Sequence, residues 1–452
     1  MANSKHTMDM CNGPILKKML LFAVPLMLSS MLQLLFNAAD VVVVGRFAGE
    51  TSLAAVGSTT VIINLLTNLF IGLAVGVNVL VARYFGAKEE AQTSDTVHTA
   101  MAISVISGVL LTVVGMCFAP NMLVWMKTPT EVLPKAVLYL RTYFAGMTAT
   151  MVYNFGSAVL RAVGDTRRPL YILSAAGVVN VALNLVFVIG LNKDVFGVAL
   201  ATVISQVISA VCVVLCLLKE EGSIRLEWSK LRIQKDKLFK ILGVGLPAGF
   251  QSCMFSLANV VVQSSINLFG ETVVAGNSAA SNIEGFMFVA MSAFHQAAIS
   301  FISQNLGAGR RDRINRIQCT ALGCVAVIAM ILGAAFYFGA PLLIGLYTDN
   351  PDVIAAGTTR LHVMSLSFIL AGLMDVMVGG LRGLGYSMMP MIVSVFGICA
   401  LRVVWLATVF QMPAYHTIDM IYITYPISWA VTLVAHTVCF LIARRLLEKK
   451  QA

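Results

Sequence analysis

Three carboxylates lie inside long apolar stretches of this chain: Asp40, Glu284 and Asp375. A charge near the centre of a bilayer costs about 2.5–3.5 kcal/mol on insertion scales, so each needs a partner, a water-filled cavity or a proton. The chemistry such groups suit is reversible, the uptake and release of a proton or a hard cation. Asp40 closes the stripe Gln33, Asn37, Asp40, whose i, i+4, i+7 spacing places all three on one helix face. Asn180 and Asn184 stand one turn apart on another run, and Thr202 and Gln206 on a third. All three runs are expected to carry these groups in the outer half of the membrane. A carboxylate among amide and hydroxyl oxygens can hold a proton or Na⁺. The same side chains also make helix-packing hydrogen bonds. Asp40 at the same depth tips the reading toward function.

The second half carries its own stripes. Asn277, Ser281 and Glu284 repeat the spacing, and His295 falls on the same face eleven residues on. A lone His on such a face is more often a packing residue than a ligand. Gln251, Asn259, Gln263 and Asn267 recur at multiples of four and suggest the wet wall of a substrate cleft. Asp375, seven residues before Arg382, is either a proton site or a partner for a basic residue. The substrate-cleft candidates are therefore Gln33, Asn37, Gln251, Asn259, Asn277, Ser281, Glu284, His295 and Asp375. No P-loop, GxSxG, HExxH or dinucleotide fingerprint is present. An enzyme and an ATP-driven pump are thus not expected. Neither is a cofactor other than a coupling ion, nor a metal other than Na⁺ at Asp40.

The elements that position these residues follow from composition. Of 452 residues, 58% are apolar and 12% charged, against about 25% charged in soluble domains. The apolar runs exceed the roughly 20 residues needed to cross a bilayer. Twelve can be counted, from 15–44 to 421–443, with the fourth at 133–160 and the tenth at 353–380. They lack period-two alternation, which argues against a β-barrel.

Leu160-Arg161 to Pro169 returns as Leu381-Arg382 to Pro390, and Gly86-Ala87 as Gly307-Ala308, all displaced by 221 positions. The chain is a duplicated unit. Six spans return each repeat to the side it left, so the pseudo-two-fold axis runs along the membrane normal. The expected fold is an all-α integral membrane protein of twelve transmembrane helices in two six-helix bundles. The bundles are 1–218 and 241–452, joined by a polar cytoplasmic linker at 219–240. Pro25 and Pro247 invite a kink in the first helix of each bundle. The duplication does not copy the chemistry, since Val261 or Val262 stands in the place of Asp40 and Trp405 in that of Asn184.

The net charge of +10 could suggest nucleic acid. Its distribution argues otherwise, because most of the 31 Lys and Arg fall in loops on the side of the N-terminus. That bias predicts both termini, with Lys5 and Lys450, in the cytoplasm. Arg360 is assigned to the outer side, and only Arg402 is left within a span. The nine cysteines are mostly in apolar runs and form no CxxC pair.

These residues resemble the MATE family, the multidrug and toxic compound extrusion transporters. The markers are Ala39-Asp40 with Val44-Gly45-Arg46, Ala82-Arg83-Tyr84-Phe85-Gly86-Ala87, and Leu160-Arg161 to Pro169. The second half adds Gly245-Leu246-Pro247, Gln304 to Gly309 and Leu381-Arg382-Gly383. The stretch from Ser281 to Gln304 is most similar to the bacterial MepA-like branch. The resemblance implies antiport, in which H⁺ or Na⁺ enters while a small organic, often cationic, drug leaves by alternating access. It implies coupling at Asp40, and in DinF-like members a network to which Asn180 and Thr202 correspond. Asn184 stands where those members carry an acid. The span-seven Glu of NorM-like members is absent, with Met254 and Phe255 in that region, and their span-ten Asp is Ala371 here. Glu284 is then the better second-bundle acid, expected to balance a cationic substrate. A monomer in the bacterial plasma membrane, in contact with lipid, is the expected setting. The alternative is a lipid-linked saccharide flippase of the same superfamily, which would need a strongly cationic cleft.

Overall fold

A computed structural model of the chain describes residues 7–449, and every regular element in it is helical. In chain order the helices are α1 (Ile15–Val43), α2 (Glu50–Gly86), α3 (Glu90–Trp125), α4 (Leu133–Ala145), α5 (Met147–Ala162), α6 (Arg167–Asn184), α7 (Asp194–Leu218) and α8 (Lys235–Ile266). They continue as α9 (Glu271–Gly307), α10 (Ile314–Gly345), α11 (Pro351–Ser365), α12 (Phe368–Gly383), α13 (Met388–Ser394), α14 (Leu401–Ala407), α15 (Ile418–Tyr422) and α16 (Thr424–Lys449). Among the described residues, ten helical stretches are long and apolar enough to cross a membrane. The pair α11 and α12, bent by 50°, makes an eleventh. The expected fourth span is divided at Gly146 into α4 and α5, of 13 and 16 residues. Taken together these two complete the twelve-span layout. Lys5 and Lys450 lie outside the described residues.

The repeat is written into the backbone turns. Gly49 and Gly270 both take positive φ, 84° and 88°, and each is followed by a Glu that opens a 37-residue helix, α2 or α9. Lys88 (φ 61°) and Gly309 (φ 70°) leave those two helices in the same left-handed turn. Gly164 and Gly385, at φ 91° and 93°, lie within the motif visible in the sequence and follow the ends of α5 and α12. There the amide of Gly164 bonds the Arg161 carbonyl at 3.0 Å and that of Gly385 bonds Arg382 at 2.8 Å. Glycine at these turns avoids the Cβ clash of left-handed backbone.

The chain divides into two compact units: Met1–Asp9 with Val24–Gly249, and Met10–Ala23 with Phe250–Ala452. These cuts differ from the repeat boundary. The first turns of α1 count with the second unit and those of α8 with the first. In the first unit α2 and α8 meet backbone to backbone. A Cβ on Gly72 would lie 2.2 Å from the Gly249 nitrogen, and one on Gly76 2.3 Å from the Ile241 carbonyl oxygen. Gly72–Gly76 and Gly245–Gly249 are both four-residue spacings of glycine, which let membrane helices pack without intervening side chains. In the second unit the Phe22 ring packs edge-on to Phe301 at 5.7 Å, and Asn305 donates to the Met10 carbonyl at 3.0 Å.

The loop between α5 and α6 is fixed by charge. The Asp165 carboxylate accepts from the amides of Arg167 and Arg168 at the start of α6. Arg168 then pairs with both Asp165 and Glu220. The equivalent turn of the second repeat has Tyr386 and Ser387, so the cluster is not duplicated.

Candidate functional site

The first site lies within the first unit, where α1, α6 and α7 bring four predicted residues together. The Asn184 amide donates to the Asp40 carboxylate. It also donates to Asn180 Oδ1 at 3.3 Å, and Asn180 donates to Thr202 Oγ1 at 3.4 Å. Asn184 is fully buried, Asn180 nearly so, and Asp40 half-buried. The approach of α1 to α6 depends on Gly177, where a Cβ would sit 1.8 Å from the Phe36 ring. Each helix then widens into a π-helical turn, Val44–Ala48 after α1 and Leu185–Gly190 after α6. Such turns free backbone groups and are frequent at functional sites. Tyr139 and Tyr143 on α4 lie within electrostatic reach of Asp40.

One oxygen at this site is left over: Asn184 Oδ1 is buried with no hydrogen-bond partner among the described residues. A buried acceptor without a donor is costly. A cation, or a proton carried on Asp40, would satisfy it. Gln33 and Asn37 share a helix with Asp40 but are exposed, and no described bond brings them to this cluster.

The second site is a cavity of about 490 Å³ lined wholly by residues of the second unit. Asn259, Ser281, Glu284 and Asp375 line it, as expected. So do Phe255, Phe288, Arg360, Arg402, Tyr425 and Trp429. Gln251, Asn277 and His295 are not in its wall but stand in the hydrogen-bond networks behind it.

Glu284 differs from the role expected of it. Arg360 Nε and one terminal nitrogen reach its two oxygens at 2.8 and 2.7 Å, and the other terminal nitrogen holds Asn277 Oδ1 at 2.7 Å. Both ions are buried, Arg360 beside the rings of Tyr422 and Tyr425. Glu284 is therefore already neutralised, and no free charge remains on it to balance a cation. Arg360 is a buried partner rather than an outer-side loop charge. Nor is Arg402 alone within the spans, since Arg360 and Arg382 are buried as well.

Behind the cavity runs a chain of polar contacts. His295 Nδ1 is 3.1 Å from the Asp375 carboxylate and 2.7 Å from its carbonyl oxygen. Its Nε2 is 3.4 Å from Arg382, which donates to Gln251 at 2.9 Å. Gln251 donates to Ser394 at 3.1 Å, and Ser394 lies 3.0 Å from His436 Nε2. His295 is thus a hydrogen-bonded member of this network. Ser394, His436, Arg360 and Tyr425 were not singled out from the sequence. Arg360 lies inside an apolar run, and that was the available signal.

An all-helical, duplicated membrane fold with a carboxylate–amide site in one unit and a cavity edged by charged side chains in the other defines a multi-span transporter. The MatE family model matches residues 25–186 and again 247–408, so the chain belongs to the MatE family of membrane transporters. The second match is displaced by 222 residues at both ends, which repeats the internal duplication. The chain is similar to the probable multidrug resistance protein YoeA of Bacillus subtilis, 26% identical over 92% of this chain and 91% of that one. It is also similar to the multidrug export protein MepA of Staphylococcus aureus, 21% identical over 82% of each chain. Its fold matches a MOP superfamily transporter from Pyrococcus furiosus at TM-score 0.92 and 22% identity, covering 99% of this chain and 100% of that one.

Proposed function

We propose that this protein is a cation-coupled antiporter that exports small organic compounds across a bacterial plasma membrane by alternating access. The observation that carries the reading is the pairing of Asp40 with an Asn184 whose carbonyl oxygen is buried and unsatisfied. With a proton on Asp40, the acid O–H can donate to that oxygen. With Na⁺, the Asp40, Asn184, Asn180 and Thr202 oxygens supply four hard ligands. In either case arrival of the cation changes the bonds between α1 and α6, and so the position of α1. The two named multidrug relatives support export as the direction and small organic molecules as the cargo. The charge bias of the loops supports cytoplasmic termini.

The test is drug flux in proteoliposomes with H⁺ and Na⁺ gradients imposed separately. The wild-type protein should respond to at least one of them. Asp40→Asn should abolish gradient-driven flux while still binding drug. Flux at the wild-type rate in Asp40→Asn would remove Asp40 from the coupling.

A further inference from the structure

Arg402 stands in the wall of the second unit's cavity without a carboxylate of its own. It is 4% exposed, and its Nε donates to the neutral Ser428 hydroxyl at 3.1 Å. Its guanidinium lies 4.0 Å from the Tyr425 ring centroid and 5.9 Å from that of Trp429. The two acids on the same cavity are engaged elsewhere. Glu284 gives both oxygens to Arg360, and Asp375 faces His295. Among the described residues no ion pair reaches Arg402.

A guanidinium holds its charge even when buried, because it cannot be deprotonated under ordinary conditions. A buried cation without a counter-ion is costly, and aromatic faces recover only part of that cost. The planar fork of donors is the shape that meets a carboxylate or phosphate at two points. The rings beside it offer a floor for a flat aromatic body.

We propose that this cavity binds an aromatic ligand carrying an anionic group, with the anion on Arg402 and the ring against Tyr425 and Trp429. The proposal rests on the reading of the chain as an exporter and names a chemical class for its cargo. Asp375 keeps its contact with His295, but its side chain is 39% exposed toward the same cavity and can also meet a basic group on the ligand. Aromatic carboxylates, including zwitterions, therefore suit the site better than simple organic cations do.

The probes are rhodamine B, a free carboxylate, and its ethyl ester, which has the same ring system without the anion. Binding is read by fluorescence anisotropy on the full chain in phosphatidylcholine nanodiscs, with no anionic lipid and no ion gradient. The wild-type protein should bind the free acid about tenfold or more tighter than the ester, the scale of one charge-assisted hydrogen bond. Arg402→Gln should erase that preference while the ester affinity stays within about twofold. Arg402→Lys should keep part of it. A variant-free arm guards against misfolding: 1-naphthoate should displace rhodamine B from the wild-type protein, and 1-naphthamide should not. Equal binding of the two dyes by wild type, or a preference that survives Arg402→Gln, overturns the proposal. Because no gradient is involved, failure of the coupling reading in proteoliposomes would leave this result standing, and the reverse also holds.

Discussion

The guanidinium of Arg360 grips Glu284 through two parallel hydrogen bonds of 2.8 and 2.7 Å, in an interior where both side chains are almost wholly buried. Two charges taken out of water hold each other in place, and neither is free to leave alone. Removing one partner of such a pair typically costs about 3–5 kcal/mol, because the other is stranded. Glu284→Leu and Arg360→Met should each lower the thermal unfolding midpoint strongly. The double variant should recover much of the loss. A double variant as unstable as the two singles combined would show that the residues act independently.

Gly177 predicts a coupling defect that touches no polar group. A methyl there would sit 1.8 Å from the Phe36 ring, so the ring must turn aside or α1 must move outward to admit it. The contact lies one helical turn before Asp40. Gly177→Ala should therefore reduce gradient-driven flux at least several-fold, with a smaller effect on drug binding measured without a gradient. Phe36→Leu in the same background should restore flux by vacating the space. Unchanged flux in Gly177→Ala would mean that the spacing of α1 and α6 does not control Asp40.

Asn184→Asp would place a second carboxylate in contact with the first. Two carboxylates at that distance cannot both ionise unless a cation or proton is shared between them. Transport by the variant should become more dependent on Na⁺ at neutral and higher pH than transport by wild type. The measurement is flux against Na⁺ concentration at several fixed pH values. Superimposable curves for the two proteins would sink the idea.

Lys88 and Gly309 occupy the same left-handed turn in the two repeats, at φ 61° and 70°. Left-handed backbone costs a residue with a Cβ roughly 1–2 kcal/mol, part of which glycine gives back through its freer unfolded chain. Lys88→Gly should be neutral to stabilising by up to about 1 kcal/mol. Gly309→Lys should destabilise by a similar amount. Unfolding midpoints of the two variants decide this, and equal changes of the same sign would contradict it.

Much of this architecture is legible in the chain, because apolar length and loop glycines are local properties. The repeat of Leu160-Arg161 to Pro169 marks real turns at Gly164 and Gly385. A second marker is equally plain, as Gly49-Glu50-Thr51 returns as Gly270-Glu271-Thr272. The Asp40, Asn180, Asn184, Thr202 cluster is readable because helical periodicity gives a face and topology gives a depth. The partner of Glu284 is not readable in this way. Arg360 is 76 positions away, and loop-charge counting assigns it to water. The chain from His295 through Arg382, Gln251 and Ser394 to His436 joins five helices, and no spacing rule within one helix reveals it. The division of the fourth span at Gly146 is likewise hidden, since hydropathy averages across a one-residue break.

The close crossing of Gly72 and Gly76 against Gly245 and Gly249 also sets a timetable for biogenesis. The first unit needs a strip of chain, up to Gly249, that is made after α7 ends at Leu218. Until about residue 249 has entered the membrane, α2 carries a groove with nothing in it. N-terminal domains usually finish folding first during synthesis, but here the first unit cannot close ahead of the start of the second repeat. Quality control during insertion would therefore meet an open first unit as the normal intermediate, and a chain truncated at residue 218 would keep that groove bare.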